Sequence, residues 1–226
     1  MIRVLLADDE AMIRAGVTAI LAAGPDIEVV AQAADGREAV DLARAHRPDV
    51  ALLDIRMPRL DGLAAAEEIV RTLPGTAVAM LTTFSEDAYV ARALGGGATG
   101  FLLKSGDPHE LIAGIRAVAD GAAFLSPRVA RQVIDGYGPR RLVRGAEARA
   151  RVTVLTPRER EVLGLVGAGL SNPEIAARLH LVEGTVKAYV SAVLDRLEVK
   201  NRVQAAVVAY EAGLVADDGE ATATTA

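Results

Sequence analysis

Five short apolar runs, each separated from the next by a stretch of helical period, fill the first half of the chain and leave few folds open. The runs fall at 2–7, 27–33, 49–54, 76–81 and 99–103 and are rich in Val, Leu and Ile. Helical spacing of apolar residues covers roughly 11–22, 36–45, 62–73, 86–95 and 107–120. Strands alternating with helices make a parallel sheet with helices on both faces. Such strands are buried on both sides, so they read as continuously apolar rather than alternating. The expectation is an α/β domain on a five-stranded, doubly wound parallel sheet.

The third run, Asp-Val-Ala-Leu-Leu-Asp, ends a buried strand on the charge of Asp54, with Pro58 four positions later. In open α/β sheets ligands bind beyond the carboxyl ends of the strands. Asp8, Asp9 and Glu10 follow the first run, Thr82 and Thr83 the fourth, and Lys104 the fifth. Each alone reads equally well as a cap, a turn residue or a solvated charge. Together they place acids, a hydroxyl and an ammonium at one edge of the sheet. Clustered carboxylates raise one another's pKa unless a cation sits among them. An all-oxygen donor set favours Mg²⁺. The chain has no cysteine, and His46, His109 and His180 are too far apart in sequence to form a ligand-spaced pair. A carboxylate beside Mg²⁺ can attack phosphorus to give an aspartyl-phosphate, with Lys104 offsetting charge on the phosphoryl oxygens. The Gly95-Gly96-Gly97 run is a helix end and turn. It is not a phosphate loop, since no Gly-x-x-x-x-Gly-Lys-Ser/Thr occurs.

Charge divides the chain. Residues 1–125 carry 11 basic and 18 acidic side chains, residues 126–216 carry 14 and 9, and three further acids close the sequence. Ordinary solvated surfaces explain this split as well as a cation-binding front and an anion-binding back do. Aromatic residues make up only 3% of the chain, which argues against a single-strand nucleic-acid binder built on stacking rings. No run reaches 18 apolar residues, and the first residues turn acidic too soon for a signal peptide. The expected protein is soluble and cytoplasmic, with no membrane contact.

Residues 121–152, rich in Gly, Pro and Arg, read as a linker with a short helix over 128–135. Beyond them strand signals cease. Thr156-Pro-Arg-Glu159 and Ser171-Asn-Pro-Glu174 are capping boxes that start helices. Two more helices are expected at about 183–197 and 201–213. These four short helices form a small all-α domain, and the Thr/Ala-rich acidic end, 215–226, is expected to be a disordered tail.

These motifs carry a resemblance. Residues 1–120 resemble the receiver domain of two-component response regulators, a flavodoxin-like fold. The matching residues are Asp8-Asp9, Asp54 in Asp-Ile-Arg-Met-Pro, Thr82 in Met-Leu-Thr-Thr-Phe, and Lys104 in Gly-Phe-Leu-Leu-Lys. Residues 153–214 resemble the LuxR-type helix-turn-helix domain through Leu-Thr-Pro-Arg-Glu-Arg-Glu-Val-Leu at 155–163, Gly-Leu-Ser-Asn-Pro-Glu-Ile-Ala at 169–176 and Gly-Thr-Val-Lys at 184–187. Together they give the NarL/FixJ response-regulator architecture. The resemblance implies that Asp54 accepts phosphate from a sensor histidine kinase. Asp8, Asp9, Asp54 and the carbonyl of Arg56 hold Mg²⁺, and Thr82, Phe101 and Lys104 relay the change. Arg56 and Phe84 would tune phosphate lifetime. It also implies double-stranded DNA as a partner, read by the 183–197 helix. Lys187, Ala188 and Ser191 face bases, and Thr185, Tyr189 and Arg196 face phosphates. Val203, Ala206, Val207 and Tyr210 sit at core spacing and are also the dimer contacts of a homodimer formed on activation. RNA polymerase is a further partner open to such a regulator.

The sequence departs from the family pattern at four positions. Phe101 stands where tyrosine is commoner, Val182 where a Ser or Thr cap is usual, Tyr189 for a frequent histidine, and Ser191 where some relatives carry lysine. A missing cap costs roughly 0.5–2 kcal/mol. Shape readout would then supplement direct base contacts. Two rivals stay open: a phosphorylation-independent regulator, and an Mg²⁺-dependent phosphotransferase or phosphatase. The complete acidic set speaks against the first, and the lack of further catalytic groups against the second.

Overall fold

The computed structural model describes residues 1–82, 92–93, 95–125 and 147–215. Thr83, Phe84, most of the helix expected at 86–95, the one at 128–135, the centre of the linker and all but the first residue of the tail lie outside these. The chain divides into two compact units, Met1–Gly138 and Pro139–Ala226.

In the first unit the strands are β1 (Ile2–Ala7), β2 (Ile27–Ala33), β3 (Val50–Asp54), β4 (Ala77–Thr82), β5 (Gly100–Leu103) and β6 (Phe124–Leu125). They lie in the order β2-β1-β3-β4-β5-β6 and are all parallel. The sheet therefore has six strands, not five. The added β6 pairs Gly100 with Phe124 and Phe101 with Leu125. Two residues are too few to show a period, and they fall where Gly121 signals a linker.

Helices α1 (Ala11–Leu21), α2 (Gly36–His46), α3 (Gly62–Thr72) and α4 (Pro108–Ala119) flank the sheet. Residues of α1 and α4 pack with Val4, Leu6, Leu52, Leu81 and Leu102 in one buried cluster, while α2 packs against α3. Three of these helices start on an aspartate, Asp35, Asp61 or Asp107, whose carboxylate accepts a first-turn backbone N–H. That satisfies donors a helix start leaves open and favours the positive end of its dipole.

The second unit begins earlier than the sequence indicates. Residues 147–151 are helical and run into a 3₁₀ turn, Val152–Val154. Ala148 and Val152 are buried in this unit's core, so the linker loses residues at this end as well as to β6. The α5 (Pro157–Gly167), α6 (Asn172–Leu179), α7 (Glu183–Arg196) and α8 (Arg202–Glu211) helices follow. Leu163, Val166, Ile175, Val186, Val193 and Val208 are among the side chains at their centre. Both expected capping boxes form. Arg202 is buried between α8 and α6, where it donates to Asn172 Oδ1 at 2.8 Å and to the Leu170 carbonyl. Desolvation brings its pKa down to about 10 against the pull of Glu174, which leaves it charged at neutral pH.

Candidate functional site

Strand β1 lies between β2 and β3, so the chain's winding reverses beside it and opens a crevice at the carboxyl ends. Asp8 stands just past β1 and Asp54 ends β3. The Lys104 N–H donates to the Thr82 carbonyl at 2.9 Å, which carries the β4–β5 ladder one step further and sets lysine and threonine side by side. The Lys104 ammonium lies 2.8 Å from Asp8 Oδ2 and 3.0 Å from Asp54 Oδ1. Asp8 is fully buried, and Asp54 and Thr82 are each 6% exposed. A cleft of about 270 Å³ opens beside them, lined by Asp9, Glu10, Asp54, Ile55, Arg56, Thr82 and Lys104.

Burial raises the Asp54 pKa, and the Asp8 charge adds to this; the hydrogen bond and charge of Lys104 oppose the rise without cancelling it. Burial draws the Lys104 pKa down, but hydrogen bonds and charge from Asp8 and Asp54 outweigh it, so its pKa stands above the ordinary lysine value. Two buried carboxylates thus share one ammonium, with the exposed acids Asp9 and Glu10 beside them. The carboxylate oxygens of Asp8, Asp9 and Glu10 lie within 4.8 Å of one another. This oxygen-only set, with the Asp54 carboxylate and Arg56 on the cleft wall, fits a hard divalent cation of the Mg²⁺ class.

The structure thus brings Asp8, Asp9, Asp54, Arg56, Thr82 and Lys104 to one place. Glu10 lines the same cleft and was not among the expected ligands, although it is the third acid of the run after β1. Arg14 carries no such signal in the sequence: its Nη1 donates to the Asp8 carbonyl at 2.6 Å and steadies the acidic turn. Phe101 is fully buried in β5, opposite Met80. Gly62 opens α3 against the end of β3, where a Cβ would overlap the Asp54 carbonyl oxygen.

In the second unit α7 presents a polar outer face. Lys187, Ala188 and Ser191 are exposed, Thr185 is half-buried, and Tyr189 is half-buried against the core. The Lys187 ammonium pairs with Glu183 Oε1 at 2.7 Å. Val182 makes no cap bond and is 72% exposed. Arg196 is differently placed from the other residues expected at DNA. Its Nη1 donates to Glu159 Oε2 at 2.9 Å and to the Val154 carbonyl, so it bolts the end of α7 to the start of α5. The Glu159 side chain is buried, while that of Arg196 is 47% exposed. Of the residues expected at a dimer contact, Val203 is buried within its own unit. Ala206 and Val207 are half-buried, and Tyr210 is 55% exposed. All four share one face of α8, and exposure along it rises from Val203 at the start of the helix to Tyr210 near its end.

Residues 4–116 match the family model of the response regulator receiver domain. Residues 153–209 match that of the bacterial regulatory proteins of the luxR family. The transcriptional regulatory protein LiaR of Bacillus subtilis is 40% identical over 215 residues, covering 95% of this chain and all of that protein. DegU of Brevibacillus brevis is 38% identical over 226 residues, covering 95% of each. Among solved structures, the response regulator ChrA of a heme-sensing two-component system is 33% identical, with a TM-score of 0.53 over 95% of this chain and 98% of its own. Two domain models in this order, with relatives matched end to end, place the chain among the NarL/FixJ response regulators of two-component systems. These join a receiver to a luxR-type DNA-binding domain and regulate transcription rather than act as enzymes.

Proposed function

We propose that this regulator is switched by phosphorylation of Asp54, with a sensor histidine kinase as donor. An Asp54 oxygen attacks the phosphorus of a phosphohistidine. A P–O bond forms, the P–N bond breaks, and the electron pair leaves with the imidazole. Lys104, already within hydrogen-bond reach of Asp54, turns its ammonium to a phosphoryl oxygen. The Thr82 hydroxyl, on the same cleft wall, donates to another. Asp8, Asp9, Asp54 and the Arg56 carbonyl would hold Mg²⁺, which would supply charge to offset that on the phosphoryl group. Phe101 has no hydroxyl, so it reports the change through its packing. A tenfold shift between two receiver states needs about 1.4 kcal/mol, which one charge-assisted hydrogen bond can supply.

The working units are a receiver over 1–125 and a DNA-binding unit over 147–215. In the second, Lys187, Ala188 and Ser191 of α7 face base edges of double-stranded DNA, with Thr185 and Tyr189 toward phosphates. Activation yields a homodimer on two half-sites, with Tyr210 and the exposed parts of Ala206 and Val207 as its contact. RNA polymerase is a further partner on DNA. Among the described residues no helix is long and apolar enough to cross a membrane, and a cytoplasmic site of action suits both partners.

The observation that carries this reading is the Lys104 ammonium shared by two buried carboxylates at a cation-ready cleft. The test is mass and oligomeric state after Mg²⁺ with a small-molecule phosphodonor, wild type beside Asp54→Ala. A phosphate-sized gain in wild type alone, with more dimer, supports the reading. Equal gain in both chains sinks it.

A further inference from the structure

The chain reverses sharply within the loop that follows Asp54. The Leu60 N–H donates to the Pro58 carbonyl at 2.7 Å, closing a three-residue turn, and Arg59 at its centre has φ +63°. A γ-turn with a positive central φ is rare and strained, and a side chain makes that region costly. Among the described residues, Arg47, His180 and Glu198 also have positive φ. Each lies just past a helix, where a left-handed residue closes the last turn. Arg59 ends no helix, so other contacts must hold it.

Two contacts do so. The Arg59 guanidinium pairs with Asp35 Oδ2, and the Asp35 side chain is only 4% exposed. Asp35 Oδ1 meanwhile accepts from the backbone N–H groups of Arg37 at 2.9 Å and Glu38 at 3.0 Å. Beside this pair the Leu60 carbonyl lies against Gly36, where a Cβ would overlap it. The turn is therefore fixed to the start of α2 by one charged contact and one steric one. At the loop's far end the Gly62 N–H donates to the Ile55 carbonyl at 2.9 Å. The loop's first residues, Ile55 and Arg56, are walls of the cleft.

We infer that Arg59, held by Asp35, is a positioning residue for the phosphoacceptor cleft. The clamped turn fixes the backbone of residues 55–57, and with it the Arg56 carbonyl that would serve as a ligand to the cation. Strained backbone persists only where its surroundings over-determine it, and it gathers at functional sites. The inference rests on the reading of the cleft given above.

The test uses the full chain with Arg59→Ala and Arg59→Gly. Mg²⁺ affinity is read by titration calorimetry, and backbone hydrogen exchange at Leu60 and Gly62 is read without metal. Alanine keeps the strain and loses the clamp, so affinity falls roughly tenfold, as for other groups that orient a ligand, and exchange quickens. Glycine takes a positive φ without cost, so it restores most of the affinity and protection. Wild-type affinity and exchange in Arg59→Ala overturn the inference. So does an equal fall in both variants, since the strained turn is then not what is being held. A wild-type chain that binds no Mg²⁺ overturns the reading of the cleft as well.

Discussion

Both units hold a key lysine on a carboxylate, and they do it under opposite conditions. In the receiver, Lys104 and its partners Asp8 and Asp54 have side chains no more than 8% exposed. On α7, the Lys187 and Glu183 side chains are 58% and 45% exposed. A buried ion pair costs several kcal/mol of desolvation per ion, and breaking it leaves a charge with no water to meet it. An exposed pair is worth about 0.3–0.5 kcal/mol and is screened by salt. Releasing Lys104 therefore takes a new anion in the cleft, such as a phosphoryl group. Releasing Lys187 takes only a competing acceptor, such as a base edge or phosphate of DNA. The first arrangement fits the switch proposed for Asp54, and the second fits the DNA contact proposed for α7.

The largest test breaks the buried side of this comparison. Lys104→Met keeps the bulk of the side chain and removes its charge, leaving Asp8 and Asp54 facing each other. The expected loss is about 3–5 kcal/mol of receiver stability by urea unfolding, as for other broken buried pairs. Mg²⁺ should restore part of it, because a cation replaces the ammonium. A loss under 1 kcal/mol would mean water already reaches the trio. On the exposed side, Lys187→Ala should leave stability within about 0.5 kcal/mol. It should weaken operator binding by about 1–3 kcal/mol, the worth of one good base contact. If titration shows weakening equal on operator and random DNA, Lys187 belongs with the phosphate contacts.

How far the sequence reaches follows the same divide. Asp8, Asp54, Thr82 and Lys104 were legible because a parallel sheet delivers every strand's carboxyl end to one edge, whatever the loops do. The capping boxes at Thr156 and Ser171 were legible because both partners sit three residues apart. Contacts across long separations were not. Arg196 and Glu159 are 37 residues apart, and nothing in a helical arginine near a basic face separates a phosphate contact from a structural bolt. The turn at Arg59 was hidden because Pro-Arg-Leu-Asp contains none of the glycines that usually announce a positive φ. Residues 147–152 were hidden by arginines that read as linker, although Ala148 and Val152 face inward.

A smaller effect sharpens the comparison at the start of α7. Val182 caps nothing, so Val182→Ser should raise the stability of the second unit by roughly 0.5–2 kcal/mol. Calorimetric melting of the full chain checks this. If the uncapped turn is ordered only on DNA, the variant should also bind with a smaller entropic penalty.

The smallest effect concerns the bolt at the other end of that helix. The Thr156 backbone N–H, foremost, and its hydroxyl hold the Glu159 carboxyl below its ordinary pKa of 4.5, with help from the Arg196 charge, against a counter-pull from burial. A depressed carboxyl stabilises the fold above its unfolded pKa and loses that contribution as pH falls through the lower folded value. Wild type should thus exceed Glu159→Gln by a constant margin near pH 7. The margin should close as pH drops below about 4.5. Acid also titrates the receiver's carboxylates, but they lie in the other unit and are shared by both chains, so they cancel in the difference. Urea unfolding of the pair from pH 7 to pH 3 measures it. A margin that stays flat to pH 3 would show that the glutamate acts by its shape as a cap. Arg196 would then gain nothing from its charge, and its guanidinium would be free to turn toward DNA phosphates after all.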